Sequence, residues 1–514
     1  MAQKNINLHE LYSIDFNQYT QELKSKKPEH FIEEGIQGAL STFKQAAKRV
    51  PAYKDFLKNH NINPLKINTL HDFKTLPLTD KKYLRNYKLS DLCWDSKLTE
   101  LDMISTSSGS TGEPFYWPRG VEQESEVTKI YELFYQTLQA DKKKTLVVIG
   151  YSMGTWIAGT FTLTATMRLA QKGYPITIIS PGINIEEIVK AVKNLGSYFE
   201  QIVLAGYPPF IKDVIDHGKN AGIDWSALNV KFIFGAEVIS DQFRKYVLRA
   251  VGKTSRKERL TDTINTYGTA DAAILGFETP LSIFIRQQAT DNEKLRKELF
   301  KDSCRWPTLA QYDPRLKFFE EIEHRLVFTS SSGIPLIRYD IGDDGSIISF
   351  TDIIKILLKY KIDYKKDFKE LDIQNLIWKL PFVYLFGRKD LTATIYGLNV
   401  YPENIKAALE SKEIQNYVTG KFTMCTEETS KHNQCLLITI ELAENVEPTE
   451  NLKKLTKKIV VAKLNELNSE YHKLYNSIGV KAVPKIKLAK YEDPEYFKIK
   501  IKQRWVKKEM KGTL

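Results

Sequence analysis

At 514 residues the chain is too long for one ordinary hydrophobic core, so a large domain with a smaller companion is expected. Its 42% hydrophobic and 27% charged residues exclude an intrinsically disordered chain, and a formal charge of +12 suits acidic partners such as nucleic acid, lipid headgroups or polyanionic small molecules without choosing among them. Cys93, Cys304, Cys425 and Cys435 lie far apart with no Cys-x-x-Cys pair, which argues against a zinc site or a disulfide framework and for a reducing, cytoplasmic setting.

The opening residues Met1-Ala2-Gln3-Lys4-Asn5 show no apolar core of a signal peptide. Residues 1–100 read as a helical lead-in, with Tyr53, Phe56 and Leu57 on one stripe and Leu70, Phe73 and Leu76 on another. Then comes Ser105-Thr106-Ser107-Ser108-Gly109-Ser110-Thr111-Gly112-Glu113-Pro114. Its glycines let the backbone turn closely, its hydroxyls donate to anionic oxygens and Pro114 stops helix, so the run suits phosphate. The same composition also suits a plain Ser/Thr/Gly linker, and the run lacks the Gly-Lys-Ser/Thr of a Walker loop.

Thr145–Gly150 reads as a buried strand. The uncharged stretch from Thr145 to Met167 is broken by Gly150, Gly154 and Gly159, which favours a strand, a turn and part of a helix over a membrane span. An alternation follows: strand Ile176–Ile179, a helix capped by Asn184, strand Gln201–Leu204, a helix near Phe210–His217, strand Val230–Phe234, and a helix capped by Ser240. Such a series predicts an α/β domain with mainly parallel sheet. Three strands run into Gly206-Tyr207-Pro208, Gly235-Ala236-Glu237 and Gly268-Thr269-Ala270-Asp271. Ligands of open α/β sheets bind outside the carboxyl ends of strands, so these loops are expected to line one pocket. Trp156, Tyr207 and Phe210 are candidates for its apolar wall, with core packing as their other reading.

Beyond residue 387 the texture becomes that of a small α+β domain: Pro402 opens a helix, Cys435–Leu442 reads as a strand, and Thr449 caps a long helix. The tail Lys498-Ile499-Lys500-Ile501-Lys502 alternates like a charged edge strand, which serves solubility and does not require nucleic acid.

The phosphate-suited run, Tyr267-Gly268-Thr269-Ala270-Asp271, Arg338-Tyr339-Asp340-Ile341-Gly342-Asp343, Gly387-Arg388-Lys389-Asp390 and Gly397-Leu398-Asn399-Val400-Tyr401-Pro402 follow one another in an order that resembles the adenylate-forming acyl/aryl-CoA synthetase superfamily. The phenylacetate-CoA ligase branch is the one the chain looks most like. The resemblance spans roughly residues 100–410, and it is the ordered set rather than any one block that is specific.

What it implies is a large adenylating domain over 1–386, a small mobile lid domain over 387–514, and a reaction in which ATP activates a carboxylic acid, aryl or aliphatic, before transfer to the thiol of CoA. By the same resemblance, Ser107, Ser108, Gly109, Ser110, Thr111 and Gly112 hold phosphates, Gly235-Ala236-Glu237 forms the adenine-side loop, and Tyr267 with Gly268 and Thr269 meets adenine. Asp271 holds Mg²⁺, Asp343 accepts the ribose hydroxyls, Arg388 reaches the ribose or α-phosphate, and Asp390 is the hinge. Lys498 is the expected catalytic cation, with Lys500 as runner-up.

Several residues depart from the family pattern. Glu113 and Phe115 stand where the phosphate loop carries a lysine, Ala270-Asp271 replaces Thr-Glu, Asp340-Ile341 replaces Arg-Thr, and no glycine precedes Lys498. Residues 344–386 exceed the family's usual connection and include an apolar, lysine-bearing helical stretch at Ile353–Tyr360, read as a solvated surface helix. These departures keep two alternatives open: adenylation with a carrier protein, an amine or a cofactor as acceptor, or a nucleotide-binding homologue without turnover. No nucleic acid and no membrane span are expected among the partners, and a homodimer is one option for assembly.

Overall fold

The computed structural model describes residues 11, 14–107, 114–301, 307–388, 393–428 and 433–497. β1 (Met103–Ser107) and β2 (Phe115–Arg119) pair antiparallel up to Ser107 opposite Phe115. β3 (Thr145–Gly150), β4 (Ile176–Ile179), β5 (Gln201–Gly206), β6 (Val230–Gly235) and β7 (Thr263–Thr269) form a parallel array in the order β4-β3-β5-β6-β7. Every residue of β3, β5 and β6 is buried, as near-continuous apolar strands covered on both faces must be. The crossovers are helices Ile157–Gln171, Ile185–Leu195, Pro208–Asn220, and the pair Asp241–Ala250 and Arg256–Thr261. The expected caps are present: Asn184 accepts from Glu187 N at 3.1 Å and Ser240 from Phe243 N at 3.0 Å, each satisfying one orphan donor of a helix start.

The parallel array is as expected from the alternating pattern. The sheet then continues, within one 11-stranded sheet, through antiparallel strands that the pattern does not announce: β8 (Ala273–Phe277), β9 (Thr308–Gln311), β10 (Phe318–Ile322), β11 (Arg325–Ser330), β12 (Leu336–Ile348) and β13 (Phe382–Arg388), in the order β10-β11-β12-β13-β9-β8-β7. Short turns join β7 to β8, β10 to β11 and β11 to β12, while helices lie between β8 and β9 and between β12 and β13. Glu323 and His324 both hold positive φ (50° and 63°), the geometry of a two-residue type I′ hairpin between β10 and β11.

The lead-in helices pack on this antiparallel half, burying Tyr53, Phe56, Leu57, Phe73 and Leu76 in one cluster with Phe319, Phe328 and Tyr339. Residues 344–386 contain the end of β12, the start of β13, and between them helices Phe350–Lys359 and Tyr364–Glu370. The first is not merely solvated: Phe350, Ile353 and Leu357 enter a satellite core with Phe284, Leu299 and Phe368.

β14 (Ala393–Ile395) and β15 (Leu398–Val400) form a hairpin, and β16 (Val418–Glu428), β17 (Gln434–Leu442) and β18 (Lys485–Ala489) a separate three-stranded sheet beside helices Pro402–Leu409, Glu450–Leu467 and Ser469–Ile478. Among the described residues no helix is long and apolar enough to cross a membrane.

Candidate active site

Tyr151 and Tyr207 meet at the carboxyl ends of β3 and β5, beside Gly235 at the end of β6. Tyr151, directly after β3, donates from Oη to Ile233 O at 3.0 Å, and its ring meets that of Tyr207 edge-on at 5.2 Å. Gly235 is required at the end of β6, because a Cβ there would stand 2.7 Å from Thr266 Oγ1 and 3.2 Å from Tyr151 Oη. Phe210 is in the core, with its ring against Gly150, so of the three apolar candidates it lies deepest. Trp156 is half-buried beside β1, where Thr106 bridges to it, and its buried indole N–H has no partner in the structure.

The tyrosine and ribose blocks meet. Tyr267 Oη donates to Asp343 Oδ2 at 2.6 Å, and both side chains are buried. Asp343 sits directly opposite Arg388 in the antiparallel pairing of β12 with β13, next to the bulge at Asp344/Gly345. Two segments more than seventy residues apart in sequence thereby present an aromatic ring, a carboxylate and an arginine position at one place.

Gly268 and Thr269 end β7, and Ala270 and Asp271 begin the turn into β8, so the block is part of a hairpin rather than a strand-to-helix loop. Thr269 Oγ1 accepts from Ala272 N at 3.1 Å and closes that turn. Asp271 is 2% exposed; its Oδ1 accepts from Tyr339 Oη at 3.3 Å, and no described residue donates to Oδ2. Among the described residues no group of three or more His, Cys, Asp or Glu side chains comes together to hold a metal. A single hard carboxylate with one oxygen free still fits Mg²⁺, which commonly takes only one or two protein carboxylates and completes its shell with water and phosphate oxygens.

Arg119, at the end of β2, carried no expectation from the sequence. Its side chain is fully buried and binds Ser105 Oγ (3.1 Å), Gln123 Oε1 (2.9 Å) and the carbonyls of Asp271 (3.2 Å) and Ala270. Burial pulls its guanidinium down to about 9, against the fields of Asp271 and Glu126, which act to raise it. One helical step further, Glu126 pairs with Lys317 at 2.7 Å; burial pushes the glutamate up and the lysine down, and each partner opposes the other's shift.

Glu237 faces the C-terminal part of the chain. Its carboxylate accepts from Gly397 N and from Gln434 Nε2 (2.5 Å), and Gln434 in turn accepts from Tyr396 N at 2.7 Å. Gly397 holds φ +76°, and a Cβ there would stand 2.4 Å from Tyr207 Cδ1. Nearby, Lys481 reaches Asp213 at 2.9 Å, Lys212 donates to Asn433 Oδ1 at 2.7 Å, and Lys473 lies 5.3 Å above the Trp156 ring. Ser108, Gly109, Ser110, Thr111, Gly112, Asp390 and Lys498, and the side chain of Arg388, lie outside the described residues. Ser107 is described and ends β1.

No protein-family model matches the chain, and no curated protein matches it. Solved structures do, and they show the fold: it is shared with a CoA ligase of known structure. A 2-hydroxyisobutyryl-CoA ligase in complex with 2-HIB-AMP and CoA, in the thioesterification state, superposes with a TM-score of 0.63 at 15% identity, over 95% of this chain and 91% of that one. The same ligase in the postadenylation state with R3-HIB-AMP gives 0.54 at 14% identity over 95% and 92%, and an open conformation with 2-HIB-AMP and CoA gives 0.52 at 14% over 95% and 94%.

Proposed function

We propose that this chain is an ATP-dependent acid–thiol ligase that makes an acyl- or aryl-CoA through an acyl-adenylate. The observation that carries the reading is the 2.6 Å bond from Tyr267 to Asp343, which joins two blocks chosen from sequence for adenine and ribose. In the first half-reaction a carboxylate oxygen attacks the α-phosphorus of ATP, the bond to pyrophosphate breaks, and acyl-AMP remains. In the second, a thiolate attacks the acyl carbon, AMP leaves with the bonding pair, and the thiol's proton passes to solvent.

Both reactants of the first step are anions, so the protein's task is positioning and charge stabilisation rather than covalent chemistry. In this reading Tyr267 lays its ring on adenine while its hydroxyl orients Asp343 to accept from the ribose hydroxyls, and Arg388 takes the ribose or α-phosphate. Ser107–Gly112 hold the terminal phosphates. Asp271 would hold Mg²⁺ through its free oxygen; the ion, when bound, neutralises phosphate charge. Lys498 bridges the substrate carboxylate and the α-phosphate as a placed charge. Tyr207 and Trp156 line the acyl side, and the acid is aryl or aliphatic, as in a phenylacetate-CoA ligase-like enzyme.

Residues 387–514 act in this reading as a lid that swings about Asp390. The contacts of Glu237, Asp213 and Trp156 with Gly397, Gln434, Lys481 and Lys473 describe its docked pose. The better superposition on the thioesterification state supports taking that pose as the thiol-accepting one.

The test is acid-dependent exchange of labelled pyrophosphate into ATP with pooled aryl and aliphatic acids, using Asp343→Ala as control, followed by discharge of the adenylate with CoA. Exchange that requires an acid and disappears in the control is expected. ATP binding without exchange on any acid would refute it. Lys498→Ala should slow adenylation by orders of magnitude and spare thioester formation from supplied acyl-adenylate; equal loss in both halves would remove Lys498 from its role.

A further inference from the structure

The charge balance of the proposed site is unusual for one that takes a triphosphate. The phosphate-suited run carries Glu113 and no lysine, and Asp271 adds a second negative charge. A cation is nevertheless built in beside the peptide of Asp271. Arg119 is 0% exposed, its planar guanidinium lies 5.8 Å from the Trp117 and Phe161 ring centres, and its acceptors are all neutral: a serine hydroxyl, a glutamine carbonyl and two backbone carbonyls. Four of its five N–H donors are committed to them.

Among the described residues no carboxylate stands within ion-pairing distance of Arg119; Asp271 and Glu126 act on it through space, and Glu126 is already paired with Lys317. A guanidinium buried with no directly paired carboxylate is costly to desolvate. A fold keeps such a group where a fixed charge serves something, because a preorganised charge in a dry site acts on an arriving anion without reorganising.

The contacts indicate what it serves. Ser105 is two residues before Ser107 on the strand that leads into the phosphate-suited run, and the carbonyls of Ala270 and Asp271 belong to the turn that presents the Asp271 carboxylate. One side chain therefore ties the entry of the phosphate run to the carboxylate's own peptide.

Resting on the ligase reading above, we infer that Arg119 is a positioning residue for the magnesium–triphosphate end of the nucleotide. It ties β1 at Ser105 to the turn that carries Asp271, and it places a fixed positive charge beside the peptide of that carboxylate. It does not touch the acid or the adenine side, so its loss acts on ATP and not on the carboxylic acid.

The experiment measures ATP affinity by calorimetry in the presence of Mg²⁺, together with KM for ATP and for the acid in pyrophosphate exchange, on the full chain. The variants are Arg119→Lys, Arg119→Met and Ser105→Ala. Arg119→Lys keeps the charge but loses the fork, and should weaken ATP binding by about tenfold, the scale of one or two charged hydrogen bonds, with KM for the acid unchanged. Arg119→Met should weaken it further, and Ser105→Ala, which removes a single contact at little change of volume, should give a smaller loss of the same kind. If Arg119→Met does not fold, the other two carry the test. ATP affinity within twofold of wild type in Arg119→Lys and Ser105→Ala, equal rises in both KM values, or failure of all three variants to fold would assign Arg119 to the core alone and overturn the inference. Wild-type protein that shows neither ATP binding nor exchange would instead overturn the ligase reading.

Discussion

Replacing Tyr267 by phenylalanine removes one oxygen, the one that donates to Asp343, and leaves the ring in place against Phe319. Asp343 is 4% exposed, and the lost bond is a short phenol-to-carboxylate hydrogen bond of 2.6 Å. A hydrogen bond to a charged group contributes about 1.5–3 kcal/mol, and a buried acceptor left short of a donor costs a comparable amount. Tyr267→Phe should therefore lower stability by about 2 kcal/mol, read as a shift of the denaturant midpoint at constant slope. A double-mutant cycle with Asp343→Asn should return a coupling energy of at least about 1 kcal/mol, since the two side chains are in direct contact. The functional arm uses nucleotides: if Asp343 accepts from the ribose, Tyr267→Phe weakens ATP binding about tenfold and weakens 2′,3′-dideoxyATP binding much less. Stability within about 0.5 kcal/mol of wild type, together with zero coupling, would refute the argument at its base. Equal losses for ATP and the dideoxy nucleotide would keep the bond and remove Asp343 from the ribose.

Two further outcomes follow from the packing and from burial. Gly397→Ala forces a Cβ to 2.4 Å from Tyr207 Cδ1 at a φ of +76°, which adds about 1–2 kcal/mol of left-handed backbone strain to about 1–3 kcal/mol of overpacking. The 393–400 hairpin should lose its contact with Glu237 and its amides should exchange faster; Gly397→Ala with wild-type exchange would contradict this. Cys93 is 1% exposed and burial pushes its thiol up to about 11 from 9.0, so the folded state holds its proton where the unfolded chain has begun to lose it. The stability this contributes is present below pH 9 and is lost as pH rises through the folded value, and native Cys93 should be alkylated far more slowly than Cys425 at pH 8. Equal labelling rates would show the site to be open.

Much of this protein is written locally. The apolar runs at Thr145–Gly150 and Ile176–Ile179 are strands with those bounds, and Asn184, Ser240 and Thr449 cap the helices they precede, since a cap needs only residues within three positions of itself. The order of the motif blocks was enough to select Tyr267 and Asp343 as candidates for one site, and the fold brings their side chains into contact. Even on a regular helix the pattern has limits: in Glu450–Leu467, Val460 and Leu464 are buried, but the equally apolar Leu455 and Leu467 stand partly in solvent.

What only the tertiary structure decided depends on residues far apart. The antiparallel half of the large sheet follows from pairings such as Phe382 with Gln311 and Asp343 with Arg388, which no local period encodes. Glu237 meets Gly397 and Gln434 at separations of 160 and 197 residues. Arg119 reads in sequence as one more cation after an apolar strand; its burial is set by the carbonyls of Ala270 and Asp271, about 150 residues away. Backbone hydrogen bonding and side-chain period are short-range and survive in the sequence, whereas the desolvation of a charge is fixed only when distant segments close around it.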